Sequence, residues 1–196
     1  MLHFPLDHII NANKTLLHAC KDGVKVEQLE ASYKKGGSEV LDNSQTIGSL
    51  TPFVSAAGTV WLLIYCLKIP TTKSTDAEKK FEIFVSLEER HRRLTNSAHG
   101  ILIFGNSTGL LNSTLWDRSV KKLIEIVKNS SSTPQKEIAL FTDNLGIHCQ
   151  VQSIKEALEQ GLYQLYFPPN CSHWIQPLDN LIFTILQLMI RKICQE

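Results

Sequence analysis

Asp143 and Asp179 are the two residues of this 196-residue chain whose settings best suit chemistry. Asp143 follows a continuous apolar run, Ile138–Phe141, in the string Thr142-Asp143-Asn144-Leu145-Gly146-Ile147-His148. A short apolar run without alternation is the pattern of a strand covered on both faces. Open α/β sheets carry their functional groups at the carboxyl ends of such strands. Asp179 closes the segment Pro168-Pro-Asn-Cys-Ser-His-Trp-Ile-Gln-Pro-Leu-Asp179, where a final apolar helix begins. A carboxylate at that helix start, after a strand neighbouring that of Asp143, reaches the same end of the sheet. Two acids there suit a hard divalent cation, which takes oxygen ligands. Each also has a plainer role, since an Asp at a strand end or helix start caps a helix.

Other chemistries are weaker. His148-Cys149 and Cys171-x-His173 hold zinc-ligand types, but not at the paired spacing of zinc sites. His148 has the better case as a neighbour that positions Asp143 or meets substrate. There is no nucleophile elbow, no Gly-rich phosphate loop and no dinucleotide fingerprint, so no small-molecule cofactor is expected. Arg90-His-Arg-Arg93 is the only basic cluster of the Pro70–His99 stretch, and it reads as a solvated face before it reads as a phosphate contact.

The elements that must position these residues follow from patterning. The expected strands are His8–Asn11, Leu50–Ser55, Thr59–Leu67, Ile101–Phe104, Ile138–Phe141 and Leu162–Phe167, with Ala56-Ala-Gly58 as a hairpin turn. Asn112 or Ser113 caps a helix with an apolar stripe of Leu115, Trp116, Val120, Leu123, Ile124 and Val127. A shorter helix turns Val151, Ile154 and Leu158 inward and stops at Gly161. Asp179–Cys194 reads as a helix apolar on nearly all sides. Lys21–Thr46 and Pro70–His99 read as polar, irregular connections. Strands first, then helix and strand in alternation, predict an α/β fold: a mixed sheet flanked by helices.

Composition bounds the rest. With 43% hydrophobic residues the chain can bury one ordinary core, so a single domain spanning 1–196 is expected, truncated at both ends. At a net charge of +1 the chain is far less basic than proteins that coat nucleic acid, so any DNA contact is expected from a local patch or a missing segment, and charge alone neither supports nor excludes it. Five scattered cysteines predict free, mostly buried thiols in a reducing compartment. The start has no signal-peptide pattern, and the runs Val60–Leu67 and Leu181–Ile190 are too short for a membrane span. The Asn-x-Ser/Thr triplets at Asn106 and Asn112 read as chance in a soluble intracellular protein.

One resemblance emerges from the motifs. Asp143, Asn144 and His148, then Pro168, Pro169, Asn170, Ser172, Gln176, Pro177, Leu178 and Asp179, resemble the second and third acid motifs of DDE-superfamily endonucleases. These are the catalytic domains of pogo- and mariner-like transposases. Thirty-five residues lie between the two acids, within the range such domains use. Val54–Val60 resembles the family's second and third strands, and Ser107–Trp116 the approach to its first core helix. The likeness covers Ile9 to about Lys192. It implies an RNase H-like fold, DNA as partner with a possible homodimer on it, a nuclear location, and Mg2+ or Mn2+ held by three carboxylates.

The pattern breaks at the first carboxylate. The family reads Asn-x-Asp-Glu-Thr there, and this chain reads Asn11-Ala-Asn13-Lys14-Thr15. By resemblance, Asn13 therefore stands at the first metal position, with Asp143 and Asp179 as the catalytic acids and His148 beside them. Three carboxylates in that family hold two divalent ions about 4 Å apart. Asn13 keeps an oxygen but loses the charge that offsets two dications. Lys14 adds a positive charge, which opposes metal binding unless its stem turns to solvent. A loss of about 3–4 kcal/mol of transition-state stabilisation already slows a reaction a few hundredfold. Asp7 shares strand parity with Asn13 but sits at the far end of the strand, and nothing marks out Asp22 or Glu27. The expectation is a catalytically impaired transposase-derived domain that binds nucleic acid. An active metal-dependent DNA endonuclease or strand transferase is the alternative, and an unrelated α/β binding module the second.

Overall fold

A computed structural model of the chain describes residues 4–18, 46–68, 99–130, 137–168, 171, 175–178 and 182–185. The expected connections over 21–45 and 70–98, the Arg90–Arg93 cluster, Asp179 and nearly all of the final apolar helix lie outside them. The first segment opens with a 3-10 turn, Leu6–His8, and continues as β1 (Ile9–Ala12) and β2 (Thr15–His18). Both pair antiparallel with β3 (Thr46–Ser55) in one shared register: Ile10 with Ser55, Ala12 with Phe53, Thr15 with Leu50. They are one strand path interrupted only at Asn13-Lys14. Carried across the gap, that register sets Asn13 opposite Pro52, which has no N–H to offer a ladder.

β3 turns at Ala56-Ala-Gly58 into β4 (Val60–Lys68). Gly58, at φ 89°, takes the left-handed position of the turn, and Ser55 N donates to Thr59 O at 2.8 Å. β5 (Ile101–Asn106) lies parallel to β4 at one edge. α1 (Ser113–Ser130) follows, then β6 (Ile138–Thr142), α2 (Val151–Glu159) and β7 (Leu162–Tyr166). The strand order is β5-β4-β3-β1-β6-β7, with β2 also on β3. β6 is parallel to β1, and β7 to β6. The protein is therefore α/β, with a seven-stranded mixed sheet and flanking helices. Antiparallel β1–β3–β4, with β5 parallel to β4 at the edge, and parallel β1–β6–β7 on the other side are compatible with an RNase H-like arrangement.

α1 holds the core together. Asn112 Oδ1 accepts a hydrogen bond from Leu115 N at 2.9 Å, the N-cap expected from the sequence, worth about 0.5–2 kcal/mol. Trp116, Val120, Leu123, Ile124 and Val127 are all buried against Ile10, Phe53, Leu62, Ile64 and Leu140 of the sheet. Each large side chain so buried contributes about 1.5–3 kcal/mol.

α2 departs from expectation. Val151 and Leu158 are exposed, Ile154 is half-buried, and the buried residue is Ala157. The helix is rotated so that its small side faces α1, where Glu156 pairs with Lys121 at 3.0 Å. A small residue lets two helices approach closely, and that contact outranks the apolar stripe. The first strand starts at Ile9 rather than His8, because His8 closes the 3-10 turn. Among the described residues Cys66, Cys149 and Cys171 are free thiols, and only Cys66 is fully buried. No helix among the described residues is long and apolar enough to cross a membrane.

Candidate functional site

The carboxyl ends of β1 and β6 meet side by side. Their parallel pairing matches Ile9 with Ala139, Ile10 with Leu140 and Asn11 with Phe141. Two steps further along the same register, Asn13 falls beside Asp143. Neighbouring strands run about 5 Å apart, so these two positions can share one ligand. Asn11 fastens the strands just before that point, its Nδ2 donating to Phe141 O at 3.1 Å. Asn13 is buried, and its Oδ1 accepts from Lys14 N at 2.7 Å. That bond uses one of the two lone pairs of the amide oxygen.

Asp143 leaves β6 into a turn over residues 146–148, which brings His148 back onto it. His148 Nδ1 lies 2.7 Å from Asp143 Oδ1 and 3.3 Å from the Asp143 carbonyl oxygen. The shorter contact is a close electrostatic approach, because no donor is aligned on Oδ1 well enough for a hydrogen bond. The imidazole is itself immobilised: its ring lies 4.0 Å from that of Trp116, and the residue is buried. Tyr166 completes the support from β7. Its hydroxyl sits 2.9 Å from His148 O and 2.8 Å from Gln164 Oε1, sharing one proton between two acceptors. Burial, with Cys149 alongside, pushes the Tyr166 phenol up to about 12.

The third motif reaches the same corner through Gln176. This side chain is fully buried, and its Nε2 donates to Ala12 O at 3.2 Å, one residue before Asn13. Leu178 is buried too. Asp179, the residue after it, lies outside the described residues. Among the described residues no three His, Cys, Asp or Glu side chains gather as a metal-binding group. The zinc reading of His148-Cys149 with Cys171-x-His173 has His173 outside the described residues as well.

Beside this corner lies a small pocket walled by Asn13, Lys14, Thr51, Leu111, Trp116 and His148, among others. Lys14 is half-buried and lines it, so its stem has not turned fully to solvent. Its charge reaches Cys66, opposing the upward push that burial gives that thiol, which stands at about 11. Sequence reasoning singled out neither Thr51 nor Trp116 as site residues. Trp116 appeared only as one member of a helical stripe, and nothing in the string around Thr51 distinguishes it from any strand residue. Asp7 is at the opposite end of β1, where its carboxylate accepts from Thr59 Oγ1 at 2.7 Å, so it does not serve this corner.

In chemical terms the corner offers one carboxylate, one amide and one imidazole, carried just past the ends of two paired strands, with an ammonium beside them. Comparison with protein-family models, with curated proteins and with solved structures finds no match to this chain.

Proposed function

We propose that this chain is a transposase-derived domain of the DDE endonuclease kind that binds nucleic acid and has lost most or all of its metal-dependent cleavage. The observation that carries the reading is the parallel β1–β6 register, which, extended two residues past its last pair, sets Asn13 beside Asp143. A two-metal phosphoryl-transfer site needs carboxylates at neighbouring strand ends, because the ions they hold must flank one phosphate. The motif residues argue in the same direction: Gln176, three residues before Asp179, bonds to the end of the strand that leads to Asn13. DNA is the partner, and the nucleus the compartment, that this lineage implies.

The same corner accounts for the impairment. An amide in place of a carboxylate removes one negative charge, and Lys14 next to it adds a positive one. Net charge at these two positions is thus three units more positive than a pair of acids would give, +1 against −2. In a partly buried site with an effective dielectric constant near 20, one unit charge at 4 Å contributes about 4 kcal/mol. Magnesium or manganese would have Asp143 and Asp179 as carboxylate ligands and Asn13 only through its amide oxygen. That set weakens binding and leaves one ion under-neutralised.

The test is cleavage of linear and supercoiled DNA by the purified protein with Mg2+ or Mn2+. The expected result is no cleavage above background by the chain as it stands, and metal-dependent nicking by the double substitution Asn13→Asp with Lys14→Glu. Robust cleavage by the unaltered chain, abolished by Asp143→Ala, would overturn the impairment. DNA binding undetectable even at low salt would overturn the nucleic-acid role.

A further inference from the structure

Two residues lining the pocket beside Asn13 carry buried polar atoms without a partner. Thr51 and Trp116, both almost completely buried, line it, and neither Thr51 Oγ1 nor Trp116 Nε1 has a hydrogen-bond partner. An unpaired buried donor costs about 1–3 kcal/mol, so two in one pocket are a strong demand for an acceptor. The indole cannot escape by rotating away. The Trp116 indole is held between Phe53, at 5.6 Å, and His148, at 4.0 Å. Thr51 is clamped in the middle of β3, paired with Ile64 of β4. Lys14 lines the same pocket, and no carboxylate among the described residues pairs with it.

We propose that this pocket binds one anionic oxygen of a phosphate group, held by the Lys14 ammonium, the Thr51 hydroxyl and the Trp116 indole N–H. Its remaining walls, Ala12, Leu111, Leu145 and Ile147, are apolar and lower the local dielectric, which strengthens charge-assisted hydrogen bonds. The space admits a single small ligand atom, so an oxygen enters while the rest of the phosphate stays outside. Asp143 is not among the lining residues, and its carboxylate is turned to His148. Free phosphate and the phosphodiester of a nucleic-acid strand offer the same oxygen. The proposal is independent of the transposase reading, since no metal, no cleavage and no further acid enters it.

The indole N–H resonance of Trp116 reports the site directly. It is assigned by loss in Trp116→Phe, which separates it from Trp61 and Trp174. Inorganic phosphate, and in a parallel arm a short single-stranded DNA at matched ionic strength, are titrated into the full chain. Expected is a saturable downfield shift with at least one of them, weakened roughly tenfold or more in Lys14→Met and in Thr51→Val. A shift in the DNA arm alone assigns the oxygen to a phosphodiester, and a shift with phosphate in both arms to any phosphate; either supports the site. An indole signal unmoved in both arms overturns it. So does a shift of equal size and midpoint in Lys14→Met, which would mark a buried water between Thr51 and Trp116 instead. Lys14 is half-buried and makes no ion pair among the described residues, so its substitution leaves folding measurable.

Discussion

Gln176 Nε2 donates to Ala12 O at 3.2 Å, a hydrogen bond across 164 residues of chain that ties the third motif to the end of β1. Ala12 O sits where the β1–β3 pairing breaks off, one residue before Asn13 and opposite Phe53. The glutamine is completely buried, so its amide supplies a partner that water cannot. The bond holds the Gln176–Leu178 segment against the sheet end.

Removing that donor leaves a buried carbonyl unpaired. Gln176→Leu is expected to destabilise the protein by about 1–3 kcal/mol. The change appears as a lower denaturant midpoint with an unchanged slope. An unchanged midpoint would show that the bond contributes nothing to stability.

Trp116 is the largest fully buried side chain, stacked on Phe53 and touching His148. Trp116→Ala is expected to cost about 3–5 kcal/mol, through lost burial and the cavity left behind. Trp116→Phe keeps most of the volume and loses the N–H, so it should cost much less. Thermal melts of the two variants separate the packing of the ring from the effect of its unpaired N–H.

Gly48 and Gly109 lie against each other where β3 passes the loop before α1. A methyl group on Gly48 would fall on the Cys66 carbonyl oxygen of the paired strand, and one on Gly109 would meet Gly48 Cα at 3.0 Å. Ser49 Oγ donates to Gly109 O at 2.9 Å in the same place, so the loop cannot back away. Gly48→Ala is expected to destabilise by about 1–3 kcal/mol or more. A variant as stable as the parent would show that the strands separate easily here.

Cys66 and Tyr166 make stability fall at high pH. Burial raises the Cys66 thiol from 9.0 to about 11 and the Tyr166 phenol from 10.0 to about 12. Both are acids whose neutral form the folded state favours, so the native protein holds more protons than the unfolded chain in this range. Stability is therefore fully present below about pH 9 and declines as the pH climbs through 9–12. Denaturation midpoints measured from pH 8 to 11 should fall. Cys66→Ala should flatten the earlier part of that fall, and an unchanged profile would show the thiol is not the cause.

Much of this organisation was legible in the sequence, and the exceptions have physical causes. Ile138–Phe141 announced β6 because a doubly covered strand has no polar alternation to confuse it with another element. The Asn112 cap and the stripe from Trp116 to Val127 announced α1, since both signals are local. The rotation of α2 was not legible: Val151, Ile154 and Leu158 form a plausible apolar face, and only the tertiary contact of Ala157 with α1 decides against it. The corner itself divides the same way. Asp143 and Gln176 were marked by their motifs, whereas Thr51 and Trp116 become site residues only through a pairing register between distant segments. His148 fell between these cases, recognisable as a neighbour in sequence but fixed by the Trp116 ring.

The central claim is that the first metal position is disabled by Asn13 and Lys14 while the rest of the corner persists. Mn2+ binding, followed by calorimetry or by the loss of the free-ion spin-resonance signal, tests it most directly. The account predicts at most weak, millimolar binding by the chain as it stands. Asn13→Asp with Lys14→Glu should bind at least roughly a hundredfold more tightly, since tenfold corresponds to about 1.4 kcal/mol. That gain should vanish when Asp143→Ala is added. Equal affinities for the parent chain and the double variant, or a gain that survives Asp143→Ala, would contradict it.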